Sequence, residues 1–313
     1  MKRLLIFLAF SQLLAAPAIG QCFATSGNPV GGTANMGLLD KKLLMVSTFY
    51  RFTYADHYLA GHKAYDGTMG ILKDANFNYC GILAGYGLSD KLTLEAEGGY
   101  FINKTQRYKF NDNQLKGYGL SNLVVSLKPL LYFNAEKHFE VSAALGASLP
   151  FSRSLQQVNG VTLPIDIQPS TGSFGMVGQL YLIKENSYLA TRYFIAGRVE
   201  KYFKNNQDFL FGNIYSLSGF FSKHFGREQH KIKHITAIIQ VRGQIKDRNI
   251  RAGKVVDASG NFLVFVAPQV NFNVSEFYNL SVFAELPAYQ YFNEIQLANR
   301  ISVGFTLSRL LSI

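Results

Sequence analysis

Asp56, His57, His62 and Asp66 form a dense grouping in this sequence of side chains that could do chemistry. An aspartate beside a histidine can activate water for hydrolysis, and carboxylates with imidazoles can hold a metal ion. The spacing here is irregular and lies in a polar stretch, so a solvated loop accounts for it. A lipid-cleaving barrel enzyme would need a nucleophilic serine, a histidine and a polar orienter on one strand face. The six histidines, His57, His62, His138, His224, His230 and His234, fall in loops or near strand ends without a serine at matching spacing. They read as surface or girdle residues. Gly31-Gly32-Thr33 and Gly85-Tyr86-Gly87 lack the following helix and Lys-Ser/Thr pair of a phosphate loop and are read as flexible backbone. No catalytic residue, metal or cofactor is expected.

The remaining constellation is a set of charges at strand positions: Glu95, Glu97, Lys128, Glu140, Arg192, Arg198, Glu200, Arg242, Glu285 and Arg300. What must position them is a series of twelve stretches in which apolar and polar residues alternate at period two. They run near 43–54, 75–88, 91–103, 117–133, 138–150, 171–184, 187–203, 211–224, 232–247, 260–273, 277–287 and 299–310. Successive side chains of a strand face opposite sides. In the last stretch Ile301, Val303, Phe305 and Leu307 oppose Arg300, Ser302, Gly304, Thr306 and Ser308. In the third, Leu92, Leu94, Ala96 and Tyr100 oppose Thr93, Glu95 and Glu97; in the fifth, Val141, Ala143, Leu145, Ala147 and Leu149 oppose Glu140, Ser142 and Ser148. The ninth sets Ile235, Ala237, Ile239 and Val241 against Thr236, Gln240, Arg242 and Gln244. The seventh is less regular, with Arg192, Arg198, Glu200 and Phe194 on one face.

Period alone does not separate a soluble sandwich from a membrane barrel; the N-terminus and the connectors do. Lys2 and Arg3, an apolar run from Leu4 to Ala16 and the small residues Ala18-Ile19-Gly20 make a secretory signal peptide, residues 1–20, cleaved after Gly20. The run is too short for a transmembrane helix, and no later stretch reaches about 18 apolar residues. Gln21 before Cys22 does not suit lipoprotein processing. Cys22 and Cys80 could pair in an oxidising compartment, or Cys80 could sit singly in a strand. Connectors alternate short and long along the chain, as the periplasmic turns and external loops of outer-membrane barrels do. Phe and Tyr at 14% of residues, with no Trp, suit two interfacial girdles, and 28 glycines suit curved strands.

The expected fold is therefore all-β: a transmembrane antiparallel β-barrel of about 12 strands over residues 43–313, with short periplasmic turns and longer external loops. An irregular segment, residues 21–42, precedes it and is a candidate plug. A charge in lipid near the midplane costs roughly 2–4 kcal/mol for Lys or Arg, so the charged faces are expected inward, lining or filling a lumen. Glu285 and Arg300, almost symmetric about residues 292–293, are expected to form a cross-strand ion pair near the external mouth. Removing the signal's two basic residues from 31 Lys+Arg leaves 29 against 20 Asp+Glu, a net +9 with no basic helix, so no nucleic acid is expected as a partner. The expected partners are outer-membrane lipid, a small-molecule solute and the barrel-assembly machinery during biogenesis.

Several phrases carry a family resemblance: Gly87-Leu88-Ser89-Asp90; Gly119-Leu120-Ser121-Asn122-Leu123 leading to Leu127-Lys128; Ala144-Leu145-Gly146 ending at Leu149-Pro150; Gln168-Pro169-Ser170-Thr171-Gly172-Ser173; and Glu285-Leu286-Pro287-Ala288-Tyr289-Gln290 followed by Gln296-Leu297-Ala298. In this order they resemble the phenol-degradation-pathway (MetA-pathway) family of outer-membrane barrels, over most of the mature chain. Asn122 stands where that family's pattern has Asp, Ser170 where it has Gly, and the chain ends Ser312-Ile313 without a terminal aromatic residue. The resemblance implies a barrel, a transporter-like role in uptake of small aromatic or apolar compounds, and no catalytic residues. The resulting expectation is an outer-membrane channel or facilitator for diffusion of a small solute. The alternatives are a structural or adhesive barrel with a closed lumen, whose loops 55–74 and 151–170 bind a surface partner, and, ranked last, an outer-membrane hydrolase.

Overall fold

A computed structural model of the chain describes residues 37–110, 113–225, 235–275 and 277–313. The signal peptide and most of the candidate plug lie outside the described residues. Most of the remainder forms one antiparallel sheet closed into a barrel, with two small sheets of three and two short strands in the long connectors and no α-helix among the described residues. Its wall strands are β1 (Leu43–Gly61), β2 (Leu72–Ser89), β3 (Leu92–Tyr108), β4 (Leu123–Asn134), β5 (Phe139–Leu149), β6 (Gly175–Asn186), β7 (Thr191–Tyr202), β8 (Ile214–Phe225), β9 (Ile235–Lys246) and β10 (Asn261–Asn273). The last stretch, Tyr278–Ser312, folds back on itself: its first part pairs with β10, its second with β1, and Leu310 N donates to Phe277 O at 3.1 Å where its ends meet. Its legs, residues 278–292 and 295–312, are β11 and β12, and Glu294 at the tip takes φ 54°. Pairing of β12 with β1 closes the wall at twelve passes. Closure leaves no unpaired edge, which lipid would penalise.

Facing follows the alternation. Thr93, Ser142, Ser148, Ser302 and Thr306 are buried inside, while Leu94, Leu145, Val241, Val303 and Phe305 are exposed on the outer wall. Outward aromatics gather at both rims: Tyr132, Phe225 and Phe272 near the short-turn end, Phe174, Phe203 and Phe262 near the long-loop end. These are the two girdles that a membrane barrel places at its interfaces. Cys80 lies exposed on the outer wall, and Cys22 lies outside the described residues.

The interior departs from a uniformly polar face. Phe49, Phe77, Tyr79 and Phe101, on β1 to β3, are packed inside with Tyr79 and Phe101 ring centroids 4.7 Å apart. Tyr181, Phe194 and Phe220 form a second interior row on β6 to β8. A barrel of this girth is narrow enough for side chains to fill much of it, and large rings do so with few rotatable bonds.

Much of the sequence expected as loop is strand. β1 runs to Gly61, β3 to Tyr108, and residues 288–298 are strand except for the turn at Asn293-Glu294. Their polar, Tyr- and Asn-rich composition reads as loop, but pairing satisfies the backbone above the apolar band. Two bulges interrupt this extension: Tyr54 pairs with Ile301, Ala55 with Asn299 and His57 with Ala298, so Asp56 and Arg300 are the extra residues of facing strands.

Candidate functional site

Nine of the ten charges are placed on the inner side of the wall, and the tenth is not. Arg300 is 59% exposed and its Nε donates to Asp56 Oδ1 at 2.7 Å. The expected Glu285–Arg300 pair is therefore corrected. A bulge adds one residue, which reverses side-chain parity past it. Counting by twos from Ser302 predicts an inward Arg300; the bulge turns it outward to meet Asp56.

The inward charges form two clusters on opposed parts of the wall. The first draws on β3, β4 and β7. Lys128 Nζ donates to Glu95 Oε1 at 3.1 Å and lies 4.3 Å from the Tyr181 ring centroid, with the lysine side chain fully buried. Arg198 donates from Nη1 to Glu97 Oε2 at 2.8 Å and from Nε to Glu200 Oε1 at 2.7 Å. Tyr202 donates its hydroxyl to the other Glu200 oxygen. Glu97 and Arg198 stand four strands apart, so their bond crosses the interior and exists only because the sheet is closed. The group carries three carboxylates and two cations.

The second cluster draws on β1, β9 and β11. Arg242 donates from Nε to Glu285 Oε2 at 3.1 Å and from Nη2 to Glu285 Oε1 at 2.9 Å, and Arg51 Nη2 donates to Glu285 Oε1. Two guanidiniums thus share one carboxylate. Arg51 also donates to Ser302 Oγ at 3.2 Å. Arg242 lies over the Phe265 ring at 4.6 Å, and Arg51 stands 5.9 Å from the Phe283 centroid. Arg51 is not among the ten charges that the strand pattern singles out. The signal was available, since Ser47, Arg51 and Thr53 share one parity in β1.

Glu140 and Arg192 lie near the short-turn end, where the chain before β1 enters the barrel. Leu38 N donates to Glu140 Oε1 at 3.1 Å, Leu39 N to Thr93 Oγ1 at 3.1 Å, and Lys128 Nζ to Gly37 O at 3.3 Å. Arg192 pairs with Glu185 at 3.2 Å. This strap presses on Gly87, where a Cβ would fall 2.0 Å from the Asp40 carbonyl oxygen. Only glycine permits that approach. Beside the strap a cavity of about 740 Å³ occupies the short-turn mouth, lined by Leu39, Met45, Asn273, Asn279, Ser308 and Leu310 among others.

At the opposite mouth the chain between β5 and β6 folds inward. Asn122 Oδ1 accepts from Ser170 Oγ at 2.9 Å and from Thr171 N at 3.1 Å, and Lys104 Nζ donates to Gln168 O at 2.9 Å. The Asp56–His62 grouping does not converge on a shared centre: Asp56 is bonded to Arg300 and His57, and no group of three metal-ligating side chains forms among the described residues. His224 bonds Thr236 Oγ1 at 3.0 Å, and His230 and His234 lie outside the described residues.

The sequence matches no protein-family model and no curated protein. Among solved structures the barrel is similar to the COG4313 outer-membrane channel from Pseudomonas putida F1, with a TM-score of 0.66 and 11% identity over 90% of this chain and 100% of that one. It also matches the KdgM porin at TM-score 0.40 and 12% identity, over 83% of this chain and 97% of that one. A Pseudomonas aeruginosa FadL homologue matches at TM-score 0.39 and 10% identity, over 88% and 91% respectively. What this chain shares with the COG4313 channel is the closed antiparallel barrel fold.

Proposed function

We propose that this chain is an outer-membrane channel or facilitator through which a small solute diffuses, with its short turns in the periplasm. The observation that carries this reading is a closed barrel, apolar and doubly girdled outside, whose charged interior meets a cavity of about 740 Å³ at one mouth. An apolar outer band between aromatic rims belongs in lipid, and an exported chain of this kind reaches the outer membrane. The strap at residues 37–40 narrows the periplasmic mouth, which supports a plugging role for the segment before β1. Conductance of the purified mature protein in planar bilayers tests the reading: discrete channel openings are expected, and a silent bilayer after verified insertion would overturn it.

A closed structural or adhesive barrel is the second reading, and two observations favour it. The Glu97–Arg198 bond crosses the interior, and the loop at 165–173 is buried against the external ends of the wall. A sealed bilayer is its expected result.

Membership of the phenol-degradation-pathway family remains part of the proposal, supported by how its phrases meet. The Gly119-to-Leu123 and Gln168-to-Ser173 stretches lock together through Asn122, and Pro169 lies beside Gly119, whose φ is 132°. Asn122 and Ser170, two of the three departures from the family pattern, bond to each other. Growth of a deletion strain on a panel of sole carbon sources identifies the solute; aromatic or apolar compounds are the expected class.

A further inference from the structure

We propose that the Arg51–Glu285–Arg242 cluster is the selectivity site of this channel and that it favours solutes bearing a carboxylate. The inference rests on the channel reading and deepens it by assigning the solute a charge.

The first support is the charge count: two guanidiniums and one carboxylate sum to +1 at a site on the inner wall. Arg242 and Glu285 stand at the same depth, each seven residues past the first residue of its strand, Ile235 and Tyr278. The second support is position. The cavity at the short-turn mouth opens between the ends of β10, β11, β12 and β1, the part of the wall that supplies Arg51 and Glu285. Among the described residues its lining holds one charged side chain, Arg309, a cation. Between cavity and cluster the described inward side chains, among them Ser47, Phe49, Gln269, Ser281, Phe283 and Thr306, are uncharged. Of the other inward carboxylates, Glu95, Glu97 and Glu200 are held by Lys128 and Arg198 on the other part of the wall, and Glu140 accepts from Leu38 N. A carboxylate entering from the cavity therefore meets a positive site.

The third support concerns the body of the solute. Each guanidinium stands beside an inward ring, Arg242 over Phe265 and Arg51 near Phe283. A guanidinium recognises a planar carboxylate through paired N–H donors, and the adjoining ring offers an apolar face to what the carboxylate is attached to. An aromatic carboxylate such as benzoate satisfies both surfaces.

The test is the reversal potential of the full mature protein in planar bilayers under gradients of potassium chloride and then potassium benzoate. Anion preference is expected in both salts. Arg242→Gln should lower the anion-to-cation permeability ratio by about fivefold, the Boltzmann factor for one unit charge met at about 4 Å through water. Arg51→Lys, which keeps the charge, should hold the chloride ratio and lower the benzoate ratio, because the paired donors are lost. Glu285→Gln should raise both, and Arg300→Gln, on the outer wall, should change neither. If Arg242→Gln fails to fold, the opposite-signed shift in Glu285→Gln still decides the matter. Conductance with cation preference, or ratios unmoved by both variants, would overturn this inference and leave the channel reading standing. Absence of conductance in every protein would remove the channel reading and this inference with it.

Discussion

The two interior clusters use the same residue types and do opposite things. On β3, β4 and β7, three carboxylates hold two cations, one of them fully buried, against Tyr181 and Tyr202 and the strap. That cluster crosses the interior and fills it. On β1, β9 and β11, two cations share one carboxylate on the side where the cavity lies. The comparison teaches that inward facing alone does not make a charge functional. A charge that spans the lumen to a partner stiffens the wall, whereas a cluster with one more cation than carboxylate can act on a solute.

The comparison predicts unequal costs of deletion. Arg198→Ala strands two buried carboxylates, Glu97 and Glu200, and should cost roughly 3–5 kcal/mol, the range for breaking a buried pair. Arg242→Ala leaves Glu285 still paired with Arg51 and should cost roughly 1.5–3 kcal/mol, the worth of a charged hydrogen bond. Urea unfolding in lipid vesicles measures both; equal losses would erase the distinction between a filling cluster and a facing one.

A third experiment sharpens the role of the strap, which belongs to the first cluster through Lys128. Gly87→Val should displace residues 39 and 40, since even a Cβ meets the Asp40 carbonyl. Thiol labelling of a Leu39→Cys protein should then be faster in the Gly87→Val background, and an unchanged rate would mean that the strap does not depend on that contact. The smallest effect is expected outside both clusters. A double-mutant cycle of Asp56→Asn with Arg300→Gln should show coupling, weaker than any interior pair, while Arg300→Gln with Glu285→Gln should be additive. Coupling in the second cycle would restore the pair expected from parity and remove the bulge.

What the sequence by itself determined were the local quantities. Period-two alternation placed the twelve passes, and the inner and outer faces at Glu95, Ser142, Arg242 and Val303, because side-chain direction along a strand depends only on position within it. Alternating connector lengths determined the up-and-down order for the same reason. Tertiary structure decided everything that depends on counting across a bulge or around the closed wall. Arg300 turned outward because one extra residue reverses parity, and no propensity at Asn299 or Arg300 marks where that residue sits. Arg198 met Glu97 four strands away, and Arg51 joined Arg242 and Glu285, because closure of β12 on β1 brings distant strands around one lumen. Asn122 found Ser170 because a long connector folded back over the wall. Such partners are set by barrel girth, stagger and loop path, which are properties of the whole sheet and are not written in any one strand.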